Sequence, residues 1–271
     1  MVKRLGYIVL LAVLLISCEV IREEDRFIPI PTPLSTERTH VLIEYTGFRC
    51  VNCPTAAAHA AQLQQTYVEQ LIIVAMHPAT NPFTQGVAQY DYTCPEADTY
   101  YRHMGGTAST AFPTGNINMT TTPNGYLSDY LQWGTLLAQA MQQECDAYIS
   151  AQALMDTTTR QAEITTTAYA DSEKEYQLLI WLTEDSIVGA QAMPDGSVNT
   201  HYYHQHVLRA TSKDIWGTEC LLSPTPTQRI PLAPPSSGFF PKPRLPLACQ
   251  TCASCALLHH CLPLCSVSSG A

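Results

Sequence analysis

The stretch His40-Val41-Leu42-Ile43-Glu44-Tyr45-Thr46-Gly47-Phe48-Arg49-Cys50-Val51-Asn52-Cys53-Pro54 decides the fold. Its first seven residues form a β-rich run that Gly47 ends. Two cysteines spaced Cys-x-x-Cys follow, and Pro54 opens an Ala-rich stretch to Tyr67 that is a strong helix former. Proline suits the first turn of a helix, where its missing N–H costs nothing. Leu71 to Met76 is a second apolar run, short enough for a buried parallel strand. The order is strand, Cys-x-x-Cys, helix, strand.

This placement gives the cysteines a chemistry that a bare Cys-x-x-Cys lacks. Unpaired N–H groups and the positive end of the helix dipole favour a thiolate at Cys50, the form that attacks disulfides. Cys50 is therefore expected to be the more exposed, attacking thiol, and Cys53 the resolving one. The alternatives are an inert structural disulfide, or half of a zinc site that would have to recruit ligands such as His59 or His77.

The unit resembles the thioredoxin-like superfamily. That resemblance implies that Glu44, six residues before Cys50, is a buried acid moving protons to the resolving cysteine. It also implies that Pro113, in Ser109-Thr110-Ala111-Phe112-Pro113-Thr114-Gly115, is a cis-proline facing the pair. Read from the residues alone, Glu44 could equally face solvent from an edge strand, and Pro113 could be an ordinary trans turn residue. Two departures count against efficient turnover: Arg49 stands where thioredoxins carry Trp, and Val51-Asn52 is not a familiar inter-cysteine pair. An Arg49 close to the pair would still favour the Cys50 thiolate.

Downstream, residues 82–106 read as an insertion with a short helix at Pro95 to His103 and a lone Cys94, for which no spacing selects Cys145 or Cys220 as partner. His77 and His103 read as surface or packing residues. Tyr126 to Gln143 has helical spacing and would close the first domain. From about Ile149 the pattern becomes period two, through Ala162, Ile164, Thr166 and Ala168, then Tyr176 to Thr183. Asp195-Gly196 signals a turn, and His201 to Ala210 a further strand. Alternation would put His204 and His206 on one face with His201 nearby, but no carboxylate or cysteine completes a metal set. The expected fold is α/β: a thioredoxin-like domain over 40–147, followed by a small, incomplete all-β, sandwich-like domain over 148–222. No metal or other cofactor is expected.

The ends differ from this middle. Lys3 and Arg4 precede an apolar run from Leu5 to Ile16, about half a transmembrane span, which reads as the core of a signal peptide over 1–17. Leu15-Ile16-Ser17-Cys18 resembles a bacterial lipobox, which implies acylation of Cys18 and a membrane anchor. Residues 18–39 are charged and then proline-rich, a tether; the acidic Glu23-Glu24-Asp25 also resembles a surface-export signal of Bacteroidetes lipoproteins. The last 49 residues, 223–271, hold nine of the 19 prolines, five of the 11 cysteines and no acid. Cys249, Cys252, Cys255, Cys261 and Cys265, with His259 and His260, suggest a metal module, but the spacing is not that of a bacterial ferredoxin. The other reading is a disordered or out-of-frame tail that replaced the closing strands.

The chain carries 14 Lys and Arg against 23 Asp and Glu, and all the acids lie in 18–222, where the net charge is −14. That balance excludes nucleic acid as a partner, since phosphates reward clustered bases. Over about Arg38 to Cys220 the chain resembles the outer-membrane-protein-28-related lipoproteins of Bacteroidetes. The likeness rests on Val41-Leu42-Ile43-Glu44, Thr46-Gly47, Cys50 to Pro54, Pro113-Thr114-Gly115, Tyr203 to Arg209 and Trp216-Gly217. It implies a lipid-anchored outer-membrane protein with a thioredoxin-like domain and no firmly assigned reaction. Two functions follow: thiol–disulfide exchange with protein substrates, or a non-enzymatic surface lipoprotein, an adhesin or assembly component, braced by a Cys50–Cys53 disulfide.

Overall fold

The computed structural model describes residues 27–31, 38–68, 70–86, 91–156, 161–212, 214–224, 228–232 and 262–266. In chain order, its first half contains β1 (Phe27–Pro31), β2 (His40–Tyr45), α1 (Cys53–Thr66), β3 (Leu71–Met76), α2 (Pro95–His103), β4 (Thr114–Ile117) and α3 (Trp133–Ala140). The second half contains β5 (Ala147–Asp156), β6 (Gln161–Ala170), β7 (Lys174–Glu184), β8 (Ile187–Ala192), β9 (Val198–His204), β10 (Val207–Thr211), β11 (Thr218–Leu222), β12 (Gln228–Leu232) and β13 (Leu262–Ser266). The fold is mixed α/β, with a large sheet and few helices. Among the described residues no helix is long and apolar enough to cross a membrane.

The opening motif builds the middle of the large sheet. Strands β2 and β3 run parallel from His40↔Leu71 to Tyr45↔Met76, and β4 returns antiparallel on the other side of β2. All six residues of β2 are buried, as a strand covered on both faces requires. One face, through Val41, Ile43, Tyr45, Val74 and Met76, packs on Ala97, Tyr100 and Tyr101 of α2. The opposite face, through Leu42, Leu71 and Ile73, packs on Ala56 and Ala60 of α1 and on Trp133 and Leu137 of α3. Full burial of an apolar side chain of that size is worth roughly 1.5–3 kcal/mol, so the two layers fix the sheet from both sides.

The large sheet has the strand order β11-β7-β10-β3-β2-β4, with β13 also paired to β7. Strands expected to make a separate sandwich are thus divided among three sheets. β7, β10 and β11 extend the sheet that holds β2; β5 and β6 lie between β1 and β12 in a second; β8 and β9 form a two-stranded hairpin. The joint between β10 and β3 is short, the pair Val207↔Ala75 plus the Ala75 N–H donating to the His206 carbonyl at 2.8 Å. Side chains strengthen it, since Leu179, Trp181 and Leu208 share the α2-side core and the Trp181 indole N–H donates to the Tyr100 hydroxyl at 3.0 Å. The second sheet rests on β7 and β11 through Ala168, Ala170, Tyr176, Leu178, Cys220 and Leu222.

The helix expected over Pro95 to His103 forms at those bounds. The one expected over Tyr126 to Gln143 is shorter: a 3₁₀ turn over Tyr130–Gln132 leads into α3. Ser128 exchanges backbone hydrogen bonds with Gly115 at 3.0 and 2.9 Å, which keeps the preceding residues extended, and Asp129 caps the Leu131 N–H at 2.9 Å. The strand expected over His201 to Ala210 is two strands. His206 takes a left-handed φ of 57° and its N–H donates to Asp185 at 2.6 Å, so the chain leaves β9 and starts β10 in another sheet. His204 and His206 therefore do not share a face. Cys18, the signal peptide, most of the tether and most of the tail, including its first four cysteines, lie outside the described residues.

Candidate functional site

The loop after β2 is clamped before the first cysteine arrives. A Cβ on Gly47 would fall 2.5 Å from the Phe83 carbonyl oxygen, so only glycine lets the Phe83 backbone come this close. Arg49 N–H then donates to the same Phe83 carbonyl at 3.1 Å, and Cys50 N–H to the Gly47 carbonyl at 3.0 Å. Asn52 precedes α1, its carbonyl accepting from Thr55 and Ala56 at 3.1 and 3.3 Å, and Pro54 occupies the first turn as expected. This tight entry brings the Cys50 and Cys53 Cα atoms to 5.4 Å, and the two sulfurs form a disulfide.

Two further positions were expected to support the pair. The Phe112–Pro113 peptide is cis and leads directly into β4, and Phe112 belongs to the same buried cluster as Cys50 and Cys53. Glu44 is 3% exposed, and its Oε1 has no hydrogen-bond partner among the described residues. By alternation it lies on the Leu42 side of β2, the face covered by α1. Burial pushes its carboxyl up to about 8, because water no longer solvates the charge. Its charge also raises the phenol of Tyr202, behind the larger effect of that residue's own burial.

The expectation that Cys50 is exposed is overturned. Cys50 and Cys53 are each only 2% exposed. Both belong to the α2-side core with Tyr45, Met76 and Phe112, and the main chain of their loop is held from far along the chain, by the β8–β9 hairpin. Gln191, 3% exposed, donates through Nε2 to the Cys50 carbonyl at 2.9 Å and reaches the Gly47 carbonyl at 3.4 Å. The next residue, Ala192, donates its N–H to the Phe48 carbonyl at 2.8 Å. A lone polar residue inside Ile187-Val188-Gly189-Ala190-Gln191-Ala192 was the one available sign, and it does not say what the glutamine meets. Arg49 is exposed, its guanidinium 5.5 Å from the Phe48 ring centroid.

Beside the loop sits a buried aromatic cluster. The His204 ring lies 4.3 Å from that of Tyr92 and 6.1 Å from that of His77, and Tyr92 meets Phe48 edge-on at 6.2 Å. Burial, then the nearby His204 and Arg209, holds His77 down to about 3, and neither of its ring nitrogens has a partner among the described residues. Burial likewise holds His204 down to about 4, partly offset by its contact with the Ala190 carbonyl. His59 meets Tyr130, and His103 packs on Trp216 and Tyr126. His206 pairs with Asp185 at 3.0 Å. Among the described residues no three His, Cys, Asp or Glu are grouped to hold a metal. Cys94, Cys145 and Cys220 are free thiols, the first raised to about 12 mainly by burial.

The segment supplying most of α2, β4, the β8–β9 hairpin and the closing strands matches a known family: residues 97–230 fit the model described as outer membrane protein Omp28. Over those residues the chain is similar to the Omp28 family. The Omp28 match begins after Cys53, so the cysteine pair precedes it while Pro113, Gln191 and His204 fall within it. Among solved structures the chain is similar to HBP35 of Porphyromonas gingivalis, at 17% identity and a TM-score of 0.51, covering 68% of this chain and 60% of that one. A protein of Agrobacterium tumefaciens is similar at 12% identity and a TM-score of 0.42, covering 70% of this chain and 80% of that one. No curated protein matches.

Proposed function

We propose that the chain is an outer-membrane protein, anchored by acyl chains on Cys18, whose Cys50–Cys53 pair exchanges disulfides with other polypeptides. What supports this most is one arrangement: an oxidised Cys-x-x-Cys at the entry to a helix, with a buried acid on the preceding strand and a cis-proline joined to the same core. In this reading 40–147 is the thioredoxin-like unit, 148–222 the β-rich unit that covers it, and 223–271 a segment beyond both. The Omp28 match supports the membrane location.

In the reduced protein, the Cys50 thiolate attacks a substrate disulfide and expels one substrate thiolate, leaving a mixed disulfide. Cys53 gives its proton to Glu44, a carboxyl that exchanges protons near neutral pH, and its thiolate attacks Cys50. The second substrate thiolate leaves, so the substrate gains two electrons and two protons while Cys50–Cys53 is oxidised. Pro113 shapes the edge along which the substrate lies.

A second reading, a non-enzymatic adhesin or assembly component with a permanent disulfide brace, is favoured by the burial of both cysteines. The experiment that separates them combines the Cys50–Cys53 reduction potential with trapping by Cys53→Ser in envelope extracts. Exchange predicts mixed disulfides through Cys50. A very low potential, no trapped adducts and an unperturbed Cys50 thiol would reject it.

A further inference from the structure

The hairpin bonded to the cysteine loop is held differently from every other strand near the site. β8 and β9 pair with each other and with no other described strand. The residues β8 buries fully are small or polar, Gly189, Ala190 and Gln191, and its apolar contact is the half-buried Ile187 against Phe48, Tyr92 and Val207. Its polar hold on the loop includes the Ala192 N–H to the Phe48 carbonyl and the Gln191 amide to the Cys50 and Gly47 carbonyls. One aromatic anchor, His204 against Tyr92 and His77, adds to these. The acceptors it covers are main-chain carbonyls flanking the first cysteine, and a main-chain N–H of any extended chain satisfies such an acceptor equally well.

We infer that the β8–β9 hairpin is a detachable cap, occupying the edge on which an extended segment of a disulfide-bearing polypeptide docks beside Cys50. The inference rests on the exchange reading for the identity of the incoming chain, but not for the cap itself. The hairpin satisfies the Phe48, Gly47 and Cys50 carbonyls while the site is empty, and a substrate main chain replaces its Ala192 N–H on Phe48. Access to the sulfurs is then governed by hairpin opening, which leaves the sheet and both helix layers intact. The few hydrogen bonds broken are worth far less than the core.

The test is reduction of the folded full-length protein by dithiothreitol. One reductant thiolate bonds to a cysteine sulfur and expels the other as thiolate. The second reductant thiol then closes its own ring, so the protein gains two electrons and two protons. The wild-type rate is expected to be at least about tenfold below that of the same disulfide in urea, because only the open fraction reacts. Gln191→Ala, losing hydrogen bonds to two carbonyls, raises the rate roughly five- to tenfold. Amide exchange keeps the inference testable should a variant misfold: in the wild type, Ala192 N–H exchanges far faster than the amides of β2. A native rate equal to that in urea, or Ala192 protected as strongly as β2, would overturn the cap. Because the reductant is a small molecule, failure of Cys53→Ser to trap any polypeptide would count against the exchange function and leave the cap standing.

Discussion

Replacing Glu44 with glutamine isolates the energetic burden of one buried acid. In the unfolded chain the carboxyl ionises around 4.5; in the folded protein burial raises it to about 8. Below 4.5 it is protonated in both states and costs nothing. As pH rises, the unfolded state sheds the proton first, so stability falls through that window and levels off once pH passes the folded value. At 1.36 kcal/mol per unit, the loss from about pH 5 to about pH 8 is roughly 3.5 kcal/mol. Glutamine has no charge to remove from water, although its amide leaves unpaired groups that cost about 1–3 kcal/mol at every pH. Urea denaturation of both proteins across this range gives the difference, in which the other titrating groups cancel. Wild type should lose some 3.5 kcal/mol relative to Glu44→Gln between about pH 5 and pH 8. A constant difference would refute the burial argument, and with it Glu44 as the proton acceptor for Cys53.

The opposite slope is expected from His77, whose ring is held down to about 3. The unfolded chain takes up the proton first as pH falls below 6.5, so at about pH 4.5 wild type should have lost roughly 3 kcal/mol that His77→Phe does not lose, measured in urea. Gly47→Ala forces the loop off the Phe83 carbonyl and should cost about 1–3 kcal/mol by thermal or urea unfolding; an unchanged midpoint would remove the clamp from the account. Lys174→Ala breaks a 2.8 Å ion pair to Asp146 whose side chains are 40% and 48% exposed. It should cost under about 1 kcal/mol, and a larger loss would mean the pair anchors the joint between β5 and β7.

The cysteine pair and its helix were legible because their signals are local: Gly47, Cys-x-x-Cys and Pro54 lie within eight residues. The burial of Glu44 was not, because β2 is covered on both faces and so lacks the alternation that tells an inward from an outward acid. The exposure of Cys50 was misjudged for a related reason. A helix N-terminus alone argues for an accessible thiol, but Cys50 is buried in the α2-side core, and Gln191, 141 residues away, holds its carbonyl. His204 and His206 looked like face-mates until the left-handed turn at His206 divided the strand, and alternation has no means of registering such a break. The second half read correctly as strands but not as to sheet, since period two reports that a residue alternates and says nothing of which neighbour it pairs with.

The wide sequence gap between the disulfide and the hairpin bonded to its loop also puts events in time. A chain is made from its N-terminus, at roughly 5 to 20 residues per second, so the residues between Cys53 and Ile187 take on the order of ten seconds to emerge. Throughout that interval the strands and helix that bury the two cysteines are made while Gln191 and Ala192 are not. The Phe48, Gly47 and Cys50 carbonyls that Gln191 and Ala192 satisfy are therefore the last groups of the loop to find their partners.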